Sequence, residues 1–500
     1  MVAGRLGGGV SAAPGGDVVI VGGSIAGLGL ALACANRGVP VHVVEADPEA
    51  SGTGGVPAEA ARRAPRRSTP QSAHSHTFLA RTRQLLAAEA PDVLDDLRAA
   101  GVLELAMADT RPATVPAAAP QPADGDLVVL AARRTTFEAV LRAAVRRRPE
   151  VRITTGRRAV DLTVDAAGGT AHVRGVVLDD GTALPARVVV DAGGRRSAMP
   201  ARLAARGVAL PDDGVDCGIA YLTRFYRRRP GAGLLPLDRG FTAGGSFDRY
   251  SCLVFPADAG TFSVTFGVLP EDRELRALRA PGAFDAAVAA IPTLAPWTDV
   301  DAAEAISDVR LMAGMTNRLR GGGPGQGPPP VVGWTAVGDA AATSNPAHSR
   351  GCTIALLHAV GVAAALADHR DPGDLAAAAA AVVARDVAPW VADSVDQDRA
   401  RLRRWRPGVE PEGAHLAPPP DPARLSNGET YLAARHDAYV WRRFTRLQQL
   451  VERPDDVLAD ARVRARVRAV QAAAPIAAPL VGPSRSDLVE IVHRARRAVA

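Results

Sequence analysis

Hydrophobic and polar positions alternate along this chain in two periods, and the switches between them mark its elements. Val18 to Gly22 is a short apolar run of buried-strand type. Ile25 to Asn36 follows with the length and Ala/Leu content of a helix, and Val39 to Val44 forms a second strand that ends in Glu45. A helix is expected from Arg81 to Glu89, a short strand from Leu127 to Leu130, and a helix opening at Arg133 and Arg134. Strands at Val151–Thr155, Ala159–Val164, Ala171–Val177 and Arg187–Asp191 then read as an antiparallel meander with Gly/Asp turns. Longer alternating strands occupy Cys217–Tyr226, Tyr250–Pro256 and Thr261–Leu269. A last strand delivers Asp339 to its end, and the apolar helix Ile354–Ala367 comes next. Helices with Arg-rich faces fill Leu425 to Ala500.

Strands alternating with helices and then a block of long strands make this an α/β chain. The expected units are a Rossmann-like half over residues 17–210, a mixed β-sheet unit over 211–310, a return to the first unit over 311–400, and a C-terminal helical region over 401–500. Loops rich in Gly, Pro and Ala are expected within these units at Ser51–Pro70, Arg111–Gly125 and Gly321–Pro330, a Pro-rich linker at Glu410–Pro422, and the first sixteen residues read as a floppy tail.

Composition narrows the class. The net charge of +6 is modest for 500 residues, and every basic residue is Arg, spread along the chain, which argues against a nucleic-acid surface. Four scattered cysteines (Cys34, Cys217, Cys252, Cys352) suggest neither a zinc site nor a disulfide framework, and fit a reducing cytoplasm. No membrane span is expected. His74 and His76 alternate on an extended segment without a third ligand at metal spacing, so no metal site is expected.

The chemistry lies in glycine turns. Gly22-Gly23-Ser24-Ile25-Ala26-Gly27 is the dinucleotide fingerprint G-x-G-x-x-G with Ser24 at the second glycine. Gly22 permits the tight turn, Gly27 the close approach of helix and strand, and the helix N-terminus faces a pyrophosphate. Glu45, about 20 residues on, is placed for an adenosine ribose. A second glycine turn follows Val188–Asp191, and Arg134 sits at the wrong end of its helix for the dipole, which calls for a phosphate or an acidic neighbour.

Three signals in order, GGSIAG with Glu45, DAGGRRS, and VGDAAATSNPAHSRG, resemble the FAD-dependent monooxygenases of the para-hydroxybenzoate hydroxylase type of fold, two-dinucleotide-binding-domain flavoproteins. PQSAHSH, MAGMTNR and NPAHSRGCTIALLHA point within it to actinobacterial tailoring enzymes that include polyene epoxidases. The resemblance implies Gly22, Gly23, Ser24 and Gly27 at the FAD pyrophosphate, Arg134 near the phosphates, Gly338 and Asp339 at the ribitol, and Pro346, Gly351, Cys352 and Thr353 beside the flavin. It also implies a flavin C4a-hydroperoxide, formed with O2, that epoxidises or hydroxylates a lipophilic, natural-product substrate. The aromatic-rich strands suggest Tyr221, Phe255 and Phe266 as the wall of an apolar pocket, with Arg224 able to hold a carboxylate or phenolate. His348 stands either near the reaction centre or at the start of the following helix. Two departures are visible: Ser349 where the family has a glycine, and Ala73 within PQSAHSH. Since FAD takes the only fingerprint, electrons come from docked NAD(P)H or a partner flavin reductase. A halogenase on this fold would use a lysine, and the chain has none. A prenyl-chain reductase and a catalytically silent flavin-binding protein remain as alternatives.

Overall fold

The computed structural model describes residues 18–48, 69–111, 113–165, 170–321, 330–419, 421–473 and 481–497. The expected tail, most of the loops at 51–70 and 321–330 and the turn at 166–169 lie outside these. In chain order the elements that place the site begin with β1 (Val18–Val21), α1 (Ile25–Ala35) and β2 (Val41–Glu45). They continue with α2 (Arg134–Arg146), β3 (Val151–Thr155), β4 (Val188–Asp191), β5 (Ala220–Arg228), β6 (Tyr250–Pro256) and β7 (Thr261–Val268). After α3 (Pro281–Ala289) and β8 (Trp334–Ala336) come α4 (Gly351–Asp368), α5 (Ala388–Trp405) and α6 (Arg485–Arg497).

Five strands in the order β8-β4-β1-β2-β3 form one parallel sheet. Val18, Ile20, Val41, Val43, Val188 and Val190 pack one face of it against α1, α2 and α4 in a single apolar core. Two strands of the expected meander therefore belong elsewhere: β3 and β4 pair in parallel with β2 and β1. Only the strands at Ala159–Asp165, Ala171–Leu178 and Ala183–Pro185 run antiparallel. A short apolar run carries no record of its partner, so local pattern could not separate the two cases.

The second large sheet is antiparallel, with β6, β7 and β5 at its centre. Its side chains alternate between two faces. Leu222, Tyr226, Cys252, Val254, Phe262 and Phe266 point to a core shared with Phe284 of α3 and with Leu488 and Val492 of α6. The last described helix thus closes the back of this sheet, while the helices from Asn427 to Ala473 pack with Trp390 and Val391 of α5 in a separate core. Two stretches, Gly351–Asp368 and Pro372–Trp405, have the length and apolarity of a membrane span, and the first is mostly buried against the core of the parallel sheet. A soluble core helix meets the same criteria.

Candidate functional site

Between the two sheets lies one cavity of about 360 Å3. Its nucleotide end is built on β1. Gly22 turns the chain at φ +107°, a conformation closed to side chains, and a Cβ there would strike the Ala192 carbonyl. A Cβ on Gly27 would overlap the Gly22 carbonyl, so α1 can descend onto the strand only with glycine there. Among the described residues no side chain caps α1, and Ser24, Ile25 and Ala26 line the cavity. The N-terminal N–H groups of the helix therefore have an anion-binding outlook.

Ser24 donates to Oε1 of Glu138 at 2.5 Å and accepts from Nη2 of Arg134 at 3.0 Å. Arg134 is itself paired with Glu138, one turn on, at 2.8 Å. That is the acidic neighbour its position in the helix called for, and it holds the guanidinium at the cavity wall, 3.5 Å from Nε2 of His76. The Nδ1 of His76 donates to the His74 carbonyl at 2.9 Å, which leaves Nε2 as the acceptor turned to Arg134. Burial and the Arg134 charge push His76 down to about 3, so it is neutral. Glu45 accepts the N–H groups of Gly23 at 2.7 Å and Asp47 at 2.8 Å, tying the glycine turn to the end of β2.

Asp339 follows β8 on a single 3-10 turn, whose Gly338 packs against Ala26 at the start of α1. Its carboxylate accepts no hydrogen bond from any described residue. Burial raises its pKa, with Arg134 and Arg195 pulling back. Asp191, at the end of β4, is fully buried and pushed up to about 6 by burial against the hydrogen bonds of Ser197 and Gly193. The loop 344–350 then leads into α4. Ser349 adopts the left-handed backbone at φ 55°, the conformation that the expected glycine would take without strain. Arg350 is wholly buried against Asp393 at 2.6 Å, and burial lifts the Cys352 thiol to about 11, opposed by Arg134.

Of the expected cofactor contacts, Gly22, Gly23, Ser24, Glu45, Arg134, Asp339, Pro346, Gly351 and Cys352 all line this cavity. Gly27 and Gly338 stand behind its wall, and Thr353 faces the other way, bonded to Thr82 at 2.8 Å. His348 is a correction to both expectations. It lies outside the lining, 3.7 Å from Asp398 of α5, and Arg350 rather than His348 occupies the cap position of α4.

The floor is the sheet face opposite the aromatic core. Strand register puts Tyr221, Gly267 and Ser251 in one row and Thr223, Thr265 and Leu253 in the next. Phe255, Met312 and Met315 complete it. Phe266 has the opposite parity and lies wholly buried, 5.2 Å edge-on to Phe284, so it lines no pocket. Arg224 points away too, held by Asp285 at 2.5 Å and the Ser307 carbonyl at 3.0 Å. The floor is consequently less apolar than its aromatic content suggested. His74 Nδ1, Thr223, Thr265, Ser75 and Ser263 form an unbroken chain of contacts at 3.0, 2.9, 2.6 and 2.7 Å. Thr and Ser are ordinary strand residues, so only the alternating hydroxyls in Thr223, Ser251, Ser263 and Thr265 could have signalled this polar face. His74 and Ser75 reach it from a segment about 150 residues away in sequence, which no local pattern records.

Comparison with known proteins agrees with this architecture. The FAD dependent oxidoreductase family (DAO) matches residues 17–134. No curated protein matches the chain by sequence. Among solved structures, p-nitrophenol 4-monooxygenase PnpA from Pseudomonas putida DLL-E4 superposes with a TM-score of 0.54 at 15% identity, over 91% of this chain and 98% of that one. The myxobacterial chondrochloren halogenase CndH gives 0.54 at 16% identity over 96% of both chains. PqsL, a probable FAD-dependent monooxygenase from Pseudomonas aeruginosa, gives 0.54 at 16% identity over 78% of this chain and 97% of that one. At these identities the likeness is one of fold, and the named reactions differ among the three.

Proposed function

We propose that this chain is an FAD-dependent monooxygenase that places one oxygen atom of O2 on an organic substrate lying on the floor of the β5–β7 sheet. The observation that carries the reading is the continuity of the cavity, from a glycine turn built for a dinucleotide to a mixed polar and apolar floor. The residues fit FAD. Gly22 to Ala26 and the open end of α1 would receive the pyrophosphate, Glu45 the adenosine ribose, and the unpaired Asp339 carboxylate the ribitol hydroxyls. Bound FAD, once reduced, supplies the activation of O2. The rest falls to the chain. The N-terminus of the 18-residue helix α4 turns a positive dipole end to the cavity at Gly351 and Cys352, where it stabilises negative charge. His74 and Ser75 cover Thr223 and Thr265 in the second row of the floor and keep water from them, and Tyr221 and Ser251 orient the substrate.

The polar floor shifts the substrate class from a purely lipophilic molecule to one with an apolar body and an oxygen-bearing edge. Leu253, Phe255, Met312 and Met315 would bury the body at about 25 cal/mol per Å2. Whether the acceptor carbon is an alkene or a ring, as in epoxidation or hydroxylation within natural-product biosynthesis, follows from the substrate. NAD(P)H docking directly or a partner flavin reductase would provide electrons. The test loads the protein with FAD, reduces it anaerobically, and admits labelled O2 with a polyene, a polycyclic phenol or a small phenolic acid. Label in one product with matched O2 uptake supports the proposal. Reduced FAD that transfers hydride to an alkene without O2 uptake would support the prenyl-reductase alternative instead.

A further inference from the structure

Tyr221 on the floor and the loop 344–350 meet over a buried polar cluster that sits outside the cavity. At its centre is Asp398 of α5, 3% exposed. Its Oδ2 accepts Nδ2 of Asn317 at 2.7 Å, and its Oδ1 accepts Nδ2 of Asn345 at 2.5 Å and Nη2 of Arg401 at 2.9 Å. Both asparagines are fully buried. A carboxylate can only accept, so Nδ2 must be the end of Asn345 that faces it. Its Oδ1 is then left to accept the Tyr221 hydroxyl at 2.5 Å and the Ala347 N–H at 3.0 Å. The backbone N–H of Asn345 closes the ring on Oδ1 of Asn317 at 2.8 Å. His348 joins the same cluster at 3.7 Å from Asp398.

Every bond in this set has a fixed direction, running from the Asp398 charge through the Asn345 amide to the phenol of Tyr221. Tyr221 and Ala347 line the cavity, whereas Asp398 and Asn345 do not. We propose that Asp398 and Asn345 are positioning residues, through which a helix outside the cavity holds the cofactor-facing loop and the substrate floor in one register. The inference rests on the reading of the cavity as an FAD site. Replacing Asp398 by Asn would set an amide against two amide donors. One of Asn317 and Asn345 must then turn or lose its bond, and a turned Asn345 withdraws its oxygen from Tyr221 and Ala347 together.

A double-mutant cycle of Asp398→Asn and Tyr221→Phe tests this in the FAD-loaded protein, with two readouts: FAD Kd from flavin fluorescence and the position of the bound-flavin absorption band. Each single change should weaken FAD by roughly threefold to tenfold and move the band, and the double variant should be no worse than the weaker single one. Additive effects would overturn the proposal, as would an unchanged Kd and band in Asp398→Asn accompanied by equal losses of Tm in the apo and loaded forms. If Asp398→Asn fails to fold, Asn345→Ala takes its place in the cycle. If wild type takes up no FAD, the functional reading fails on its own, and the cycle is read in urea unfolding, where zero coupling between Asp398 and Tyr221 overturns the inference.

Discussion

At Asp339 structure and chemistry are out of balance. Its half-buried carboxylate has no donor among the described residues, burial has raised its pKa, and two guanidinium groups attract it from a distance. A buried charge without hydrogen bonds destabilises the protein that carries it, and a ligand hydroxyl would relieve it. Asp339→Asn should therefore leave the melting temperature of the apo protein unchanged or higher while weakening FAD by roughly tenfold or more, since hydrogen bonds to charged groups are worth about 1.5–3 kcal/mol. Calorimetry of the apo form beside a fluorescence titration checks both halves. A lower apo melting temperature with unchanged FAD affinity would make Asp339 a structural residue. The strand leading to Asp339 and its acidic end were legible because VVGWTAVGD is a short apolar run closed by one charge. His348 was not, because its partner Asp398 lies 50 residues on, and a histidine in a turn before a helix looks alike whether it faces a cavity or a buried carboxylate.

At the scale of elements, β5, β6 and β7 show what a strand pattern can and cannot say. Their existence was plain from aromatic and β-branched runs, and the β6 bounds Tyr250–Pro256 match the expected ones. Which face met the core was not legible, because large side chains stand on both parities: Tyr221 and Phe255 on one, Tyr226, Phe262 and Phe266 on the other. The deciding partners are α3 and α6, the latter more than 200 residues away in sequence. The hydroxyl chain on the cavity side is a second tertiary feature, and it ties the His74–Ser75 segment to the sheet. Thr223→Val keeps the shape and removes the bonds to His74 and Thr265, both buried. It should cost roughly 1–3 kcal/mol in urea unfolding, because the groups left behind lose their partners. A neutral change would show that solvent already satisfies His74 and Thr265, and that the segment is not held by this chain of bonds.

Across the whole molecule the buried histidines set the response to acid. His74 and His358 are pushed down to about 4 and His76 to about 3, in each case chiefly by burial. They stay neutral when folded but take protons below about pH 6.5 once unfolded, so the unfolded chain binds more protons and stability falls as pH drops from about 6.5 to 4. Asp191 acts in the opposite sense. Its folded carboxyl protonates below about 6, before the unfolded one does, and stability gains from it as pH falls through that range. His172 is lowered as well, and Asp238, Asp339 and Asp396 are raised in the same sense as Asp191. The unfolded histidines take their protons first, near pH 6.5, so the urea midpoint should be lower at pH 5 than at pH 7.5, and Asp191→Asn should steepen the decline. A midpoint that rose on acidification would contradict the burial of these histidines. The parallel sheet, the cavity and the floor come together as an enzyme only if the cavity holds FAD. The direct measurement is titration of apo protein with FAD, beside Gly27→Val, in which α1 cannot rest on the Gly22 carbonyl. Wild type should bind one non-covalent FAD per chain and Gly27→Val none at the same concentrations. Equal binding by both proteins, or no binding by wild type, would contradict this.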